Sequence, residues 1–355
     1  MQQAKAPLLL FACAALTLAA ATTHAVGWDD DDFIIAGNRL AVYDYDFTFK
    51  GYLDNFDPVG LDFDHSANLV VSGTVLDDEF VPTQGISVYA SNGELVPEAG
   101  FLNNDLGRVL DTKVGPDGHY YAGTTLLSSF GDRDVGGLVE FLPDGTTGRE
   151  FLGRSVSTGG RGGGSGGVDF AVKNHSSVAI LPNGTVWSGV GSTHLDVAPN
   201  TYVDAFDVQT GEYLETIALD NGQIVATTMR YSSATNTVLM VDNSIGVAFE
   251  RDLSGAFLRS FDSPVSTSAL AITRGPNDDV YLANIESISP AVISRFSSDG
   301  VFQESYELDD VRFITNIVWA GNARDRALHI GTLPEPTTLA LAATGLALIA
   351  HRRAR

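Results

Sequence analysis

A glycine-rich segment contains two formal motifs that carry chemistry in other proteins. The segment Ser157–Gly167 reads STGGRGGGSGG, which satisfies a G-x-S-x-G pattern at Gly163–Gly167 and a G-x-G-x-x-G pattern that begins at Gly162. A nucleophilic serine needs a strand before it and a helix after it, and a dinucleotide site needs a βαβ unit, whereas a run of glycines matches both spacings by composition. We therefore interpret the segment as a flexible insertion and assign no catalytic residue to it.

Side chains that could bind metal ions are numerous but scattered. The body has no pair of histidines at helical i, i+4 spacing; its histidines are His65, His119, His175, His194 and His329. Carboxylate oxygens suit calcium, but neither the acidic run Asp29–Asp32 nor the pairs Asp62/Asp64 and Asp278/Asp279 form the spaced loop of an EF-hand. Most of these groups are accordingly interpreted as solvated surface.

The elements that must position such residues are predicted to be strands. Short alternating apolar runs recur between Gly, Pro, Asn and Asp turns, and helical periodicity is almost absent, so the body is predicted to be all-β. The turns form two sets. The first comprises His65–Asn68, Pro116–Gly118, Pro182–Gly184, Ala234–Asn236, Pro276–Asp278 and Asn322–Asp325, and the second comprises Asn92-Gly93, Asp144-Gly145, Thr210-Gly211, Ser254-Gly255 and Asp299-Gly300.

The spacing of the turns predicts a six-bladed β-propeller. Copies of the first set lie roughly 42 to 66 residues apart, and two hairpin turns per unit are typical of a four-stranded blade. The leading segment Phe33–Leu53 supplies outer strands and Phe313–Leu333 supplies an inner strand, so we expect the two ends to complete one blade and close the ring. A pair of β-sandwiches is the structural alternative, but it would not explain the matched incomplete ends.

The body, residues 26–333, resembles NHL-type propellers, whose units share an inner strand, a Pro-Asp-Gly turn and an Asn/Asp-Gly turn. In a propeller the inner strands line an axial channel, and the polar residues predicted near it are Asp62, Asp111, Asp169, Thr227 and Asn316. Calcium-dependent lactonase propellers place Glu, Asn and Asp ligands in such a channel. That resemblance implies calcium as the one candidate cofactor, with Asp62, Asp111, Asp169 and Asn316 as candidate ligands, although no glutamate lies on an inner strand.

Composition excludes several classes of function. The formal net charge of −23 makes binding to DNA or RNA improbable, because nucleic-acid proteins carry basic patches. Cys13 is the only cysteine, and it precedes the body, which excludes disulfides, thiolate zinc sites and cysteine nucleophiles there.

The N-terminus has the pattern of a secretory signal peptide. Lys5 precedes an apolar run from Leu8 to Ala21, and the small residues that follow suit cleavage after Ala25. We therefore expect residues 1–25 to be removed on export.

The C-terminus, residues 334–355, has three signals in order. Pro334-Glu335-Pro336 is followed by an apolar segment at 337–350 and by a basic end with Arg352, Arg353 and Arg355. The prolines block helix propagation, the apolar segment is short for a transmembrane helix, and the arginines favour the cytoplasmic face.

This tail resembles a PEP-CTERM sorting signal. The resemblance implies recognition of Pro334, Glu335 and Pro336 by an exosortase, with Arg352, Arg353 and Arg355 as the cytoplasmic stop. The chain would be anchored in the inner membrane before processing, and then reach the cell surface or extracellular matrix.

The function expected from these features is that of a binding or structural component of the cell envelope or exopolysaccharide matrix. Its partners would be an exosortase and extracellular polysaccharide or other surface proteins. The alternative is a calcium-dependent propeller hydrolase that acts on a lactone, ester or sugar derivative.

Overall fold

The structure is a computed structural model, and part of the chain lies outside it. It describes residues 26–54, 57–76, 82–97, 99–102, 108–125, 137–151, 174–191, 202–219, 226–242, 246–265, 269–284 and 290–323. The predicted signal peptide, the glycine-rich segment and the C-terminal tail therefore lie outside the described residues. No helix within the described ranges has the length and apolarity that crossing a membrane requires.

The body is a six-bladed β-propeller built from four-stranded antiparallel sheets, as predicted. Blades 1 to 5 each use four consecutive strands. Blade 1 contains β4 (Asp57–Phe63), β5 (Leu69–Leu76), β6 (Pro82–Tyr89) and β7 (Phe101–Leu102); blade 2 contains β8 (Arg108–Val114), β9 (Tyr120–Thr125), β10 (Gly137–Phe141) and β11 (Thr147–Phe151); blade 3 contains β12 (Asn174–Ile180), β13 (Thr185–Gly191), β14 (Tyr202–Asp207) and β15 (Tyr213–Ala218). Blade 4 contains β16 (Ala226–Ser232), β17 (Thr237–Asp242), β18 (Val247–Arg251) and β19 (Phe257–Asp262), and blade 5 contains β20 (Ala269–Arg274), β21 (Val280–Asn284), β22 (Ala291–Phe296) and β23 (Phe302–Leu308), with a 3-10 turn at Pro276–Asp278.

The sixth sheet, the closing blade, joins the two ends of the body. Its outer strands are β1 (Phe33–Gly37), β2 (Leu40–Tyr43) and β3 (Phe49–Asp54), and its inner strand is β24 (Ile314–Trp319). Strand β24 pairs antiparallel with β1, with Phe33 opposite Trp319 and Ile35 opposite Ile317. The predicted closure of the ring is therefore confirmed.

The two sets of predicted turns connect the first strand to the second and the third strand to the fourth. Because each sheet is an antiparallel meander, both kinds of turn lie on one face of the ring, which we call the turn face. The predicted turn Asn322–Asp325 extends past the described residues, and the strand that pairs with β24 in its blade is β1 from the other end of the chain. In the second set a glycine adopts positive φ, as at Gly145 and Gly300, a region that residues with a Cβ rarely enter.

These glycines also allow neighbouring blades to pack closely. A Cβ on Gly145 would lie 2.5 Å from the Phe101 side chain of the preceding blade, and one on Gly255 would lie 2.3 Å from that of Ile217. The closing blade departs from this rule. Its equivalent turn, Asp44–Thr48, has Phe47 at the glycine position with φ +59°, and the buried ring stacks on Phe33 with centroids 4.7 Å apart.

Candidate site in the axial channel

The inner strands place polar residues around the axis by a repeated irregularity. Neighbouring inner strands contact one another in order around the ring, from β4 through β8, β12, β16 and β20 to β24. Each has a register shift against its blade partner, for example between Val109 and Asp111 in β8 and between Pro58 and Gly60 in β4. A bulge changes the direction in which the following side chains point. The residues after each register shift therefore point in a direction that a regular strand would not give them.

Two of the predicted ligands connect one blade to the next. Asp62 Oδ2 accepts a 2.8 Å hydrogen bond from the backbone N–H of Val114, and Asp111 Oδ2 accepts one of 3.1 Å from Val178. Both carboxyl groups are buried, and each partner lies on the inner strand of the following blade. The hydroxyl of Thr315 makes a similar bond, donating to the Pro58 carbonyl at 2.9 Å. These side chains therefore fasten adjacent inner strands.

Asp111 also forms a buried ion pair. Lys113 Nζ lies 2.5 Å from Asp111 Oδ1, and both side chains are at most 3% exposed. Burial lowers the pKa of Lys113; the carboxylate of Asp111 opposes this change and the charge of Arg230 adds to it. Burial likewise raises the pKa of Asp111, against the opposing effect of Lys113. Burial thus disfavours the charged forms of both groups, while their attraction to each other supports those forms.

Side chains from distant blades meet across the axis. Arg230, from blade 4, donates through Nη2 to the Leu61 carbonyl of blade 1 and to Asn316 Oδ1 of the closing blade, both at 3.3 Å. Asn316 Nδ2 in turn lies 3.5 Å from Asp111 Oδ1 of blade 2. The described part of the channel is therefore crossed by a connected polar network.

The network does not fit a calcium ion. Of the predicted ligands, Asp62, Asp111 and Asn316 are buried on inner strands, whereas Asp169 lies outside the described residues; Thr227 lies in the register shift of β16. Calcium needs six to eight oxygen ligands that can turn toward it. Here both oxygens of Asp111 already accept hydrogen bonds, and two basic side chains, Lys113 and Arg230, lie beside the carboxyl groups. We assign no chemistry through calcium.

The sequence interpretation missed the two cations, Lys113 and Arg230. A signal for Lys113 was available, because residues two apart on a strand point to the same side, so Lys113 follows Asp111 into the channel. No comparable signal marks Arg230, whose contacts lie on other blades.

A second group of possible ligands lies on the turn face. Ligand atoms of Asp117, His119 and Glu140 lie within 4.8 Å of one another. Both Glu140 oxygens, however, receive hydrogen bonds from Arg149, at 2.6 Å from Nε and 2.7 Å from Nη2, and His119 Nδ1 lies 2.7 Å from Oε1. Asp117 Oδ2 accepts a 2.7 Å bond from the Tyr121 hydroxyl. The guanidinium group thus already engages the Glu140 oxygens that a metal ion would need.

Comparison with known proteins shows the fold and no family. No protein-family model matches the chain, and no curated protein matches its sequence. Among solved structures, a chain of the nidogen/laminin complex aligns with a TM-score of 0.56 and 14% identity, over 81% of this chain and 97% of that one. A protein of unknown function from Bacteroides caccae aligns with a TM-score of 0.55 and 11% identity, over 81% and 97%. The periplasmic gluconolactonase of Pseudomonas aeruginosa aligns with a TM-score of 0.51 and 12% identity, over 79% and 84%.

Proposed function

We propose that this chain is an exported, exosortase-sorted β-propeller that acts as a binding or structural component of the cell envelope or exopolysaccharide matrix. The proposed localisation is inferred from the two terminal signals, and the proposed binding or structural role is inferred from the propeller body. Fold alone does not define function, since propellers serve many roles, so the argument depends on the channel and on the tail.

The binding role depends on one observation: the polar groups in the channel already make hydrogen bonds within the protein. An active site needs groups free to meet a substrate, yet the carboxyl groups of Asp62 and Asp111 accept backbone N–H bonds from neighbouring blades, and Asn316 bonds to Arg230. Such groups hold the ring together. The hydrolase alternative draws only on the resemblance to lactonase propellers, and the described channel does not fit the calcium ion which that mechanism requires.

The faces of the ring support the same role. The strand ends that flank residues 126–136, 152–173 and 192–201 lie opposite the turn face, because alternate connections of a meander lie at alternate ends. Connections of this length can vary without disturbing the sheets, which is how many scaffolds present binding loops. The ligand class proposed is extracellular polysaccharide or a surface protein.

The test of the sorting role separates anchoring from processing in the native host. Replacing Arg352, Arg353 and Arg355 by alanine removes a barrier of about 2.5 to 3.5 kcal/mol each to passage through the bilayer. We expect this variant to be full length and free in the periplasm or medium. Glu335→Gln together with Pro336→Ala leaves the arginines in place, so that variant should be full length and membrane-bound. Fractionation and blotting measure both properties.

Two results would contradict the proposal. Normal processing of the Glu335→Gln, Pro336→Ala variant would leave a simple tail anchor in place of an exosortase signal. Calcium-dependent hydrolysis of a lactone or ester by the processed protein would favour the enzyme alternative. The binding role would be supported if the processed protein co-sediments with purified host exopolysaccharide. The same protein should not co-sediment with an unrelated neutral polysaccharide.

A further inference from the structure

Two side chains with complementary chemistry flank one buried oxygen atom of Asp111. Asp111 Oδ1 lies 2.5 Å from Lys113 Nζ and 3.5 Å from Asn316 Nδ2, so an amine, a carboxyl group and a carboxamide meet at a single point. Asp111 and Asn316 are 1% exposed and Lys113 is 3% exposed. The amine and the amide thus contact the same proton-transfer group in a site shielded from water.

The carbonyl of the carboxamide is polarised by two donors. Asn316 Oδ1 accepts a 2.9 Å hydrogen bond from the backbone N–H of Ile317 and a 3.3 Å bond from Arg230 Nη2. Donors fixed around a carbonyl oxygen stabilise the negative charge that develops there when a nucleophile adds to the carbon. Asn316 is therefore held as an electrophile, with the positive charge of Arg230 at its carbonyl oxygen.

The protonation states favoured by burial suit amide exchange. The pKa of Lys113 is lowered by burial, which increases the fraction of the neutral, nucleophilic amine. The pKa of Asp111 is raised by burial, which increases the fraction of the carboxylic acid that can protonate a leaving group.

We propose that Lys113 and Asn316 form an intramolecular isopeptide bond, with Asp111 as the catalytic acid and base. Lys113 Nζ adds to Asn316 Cγ, forming the new C–N bond. Asp111 donates its proton to Nδ2 and recovers one from Nζ, and the Cγ–Nδ2 bond breaks to release ammonia. An amine and a primary amide become a secondary amide and ammonia, so the reaction needs no oxidant, reductant or co-reactant.

The bond would join the inner strand of blade 2 to that of the closing blade, across blade 1. It would enclose about 200 residues in a covalent loop, and cross-links of long loops restrict the unfolded chain most strongly. It would also supply the covalent restraint that a body without cysteine cannot obtain from disulfides.

Mass spectrometry of the full chain as its host processes it tests the bond directly. The intact mass should be lower by one ammonia than the mass of the processed sequence, and a tryptic digest should contain a branched peptide that joins Lys113 to Asn316. Trypsin should not cleave after Lys113, because an acylated lysine is not a substrate. On a denaturing gel the looped chain should migrate faster than an unlinked chain.

Matched variants separate the bond from folding. Lys113→Arg keeps a cation beside Asp111 but removes the nucleophile, and Asp111→Asn removes the acid; both should recover the full mass and the slower migration. Lys50→Arg, at a lysine outside the channel, should retain the loss of ammonia. Folded wild-type protein with the full mass and no branched peptide would overturn the proposal, even if the channel variants fail to fold.

Discussion

Glu140 is a buried carboxylate at the centre of a partly exposed charged cluster, and its pairing with arginine recurs in other blades. Glu140 and Glu250 lie on the third strands of blades 2 and 4, and each pairs with an arginine nine residues later, Arg149 or Arg259, on the fourth strand. Arg295 and Glu304 form the same pair with reversed charges in blade 5. Arg259 also donates to the Ser298 carbonyl of the next blade at 2.7 Å. The pairs therefore help to join blades as well as strands.

Replacing Glu140 by glutamine should destabilise the protein in a pH-dependent way. Burial would raise the pKa of Glu140, but hydrogen bonds from Arg149 and His119 outweigh burial and lower the pKa from 4.5 to about 2. The charged form therefore stabilises the fold above pH 4.5, and this contribution is lost as the pH falls toward 2. We expect Glu140→Gln to reduce the free energy of unfolding by about 2 kcal/mol at pH 7, with a smaller difference at pH 3.5.

Denaturant unfolding at pH 7, 5 and 3.5 measures this difference. Glu150→Gln is the matched control, because Glu150 is an exposed residue of the same hairpin, and it should change the stability by less than about 0.5 kcal/mol. Equal effects of the two substitutions at pH 7 would contradict the role assigned to Glu140.

At the residue scale the sequence predicts where the polar residues of the inner strands lie better than it predicts what they do. Turn spacing was sufficient to place Asp62, Asp111 and Asn316 near one axis, because their strands occupy equivalent places in the repeat. Their role depends on Lys113 and Arg230, and Arg230 reaches the site only after blades distant in the chain are brought together. Local patterns carry no information about such contacts.

At the element scale the turns between third and fourth strands are equivalent in hydrogen bonding but not in sequence. In blade 5, Ser297 N donates to Val301 O at 2.8 Å and Gly300 N to Ser297 O at 2.9 Å. The closing blade repeats both bonds with Asp44, Thr48 and Phe47. The sequence interpretation found the glycine-containing turns and missed this one, because Phe47 replaces the residue type on which the pattern depends.

Substitutions at Phe47 should separate the strain of its backbone from the packing of its ring. The ring lies 4.6 Å from that of Tyr306 in blade 5, so its loss should destabilise the protein by roughly 3 to 5 kcal/mol in Phe47→Ala. Phe47→Gly loses the same ring but relieves the cost of positive φ. We therefore expect it to be about 1 kcal/mol more stable than Phe47→Ala and still less stable than wild type.

Urea unfolding of the three proteins at one pH measures both effects. Phe47→Gly with wild-type stability would mean that the ring does not hold the closing blade to blade 5. Phe47→Ala at least as stable as Phe47→Gly would mean that the turn carries no strain.

At the scale of the whole molecule, the incomplete ends of the repeat predict the closed ring. Among the described residues, β24 has no outer strands after it and β1 to β3 have no inner strand before them, so the two ends complete a single sheet. This inference needs only a count of strands at each end. The predicted destination of the chain depends on its termini, residues 1–25 and 334–355, and stays a prediction.

Removing residues 33–53 should open the ring and cause aggregation. The deletion leaves β24 without β1 and exposes an apolar strand edge, to which other chains can pair. Size-exclusion chromatography with light scattering should find the fragment 26–333 monomeric and the deleted form in soluble aggregates or precipitate. A monomeric deletion variant with an unchanged melting temperature would disprove the importance of closure.

The pairing of β1 with β24 also fixes an order of events during synthesis. The ribosome makes Phe33 early and Trp319 only after nearly all the other strands, yet these residues are opposite each other in one sheet. Whether the chain emerges from the ribosome or from a translocation channel, strands β1 to β3 must therefore wait for an inner partner, while blades 1 to 5 can each form from neighbouring hairpins. Contacts between such distant segments are slow to form, and an unpaired edge meanwhile attracts other chains. The yield of native protein should therefore depend on chaperones that cover the first three strands until the last one emerges.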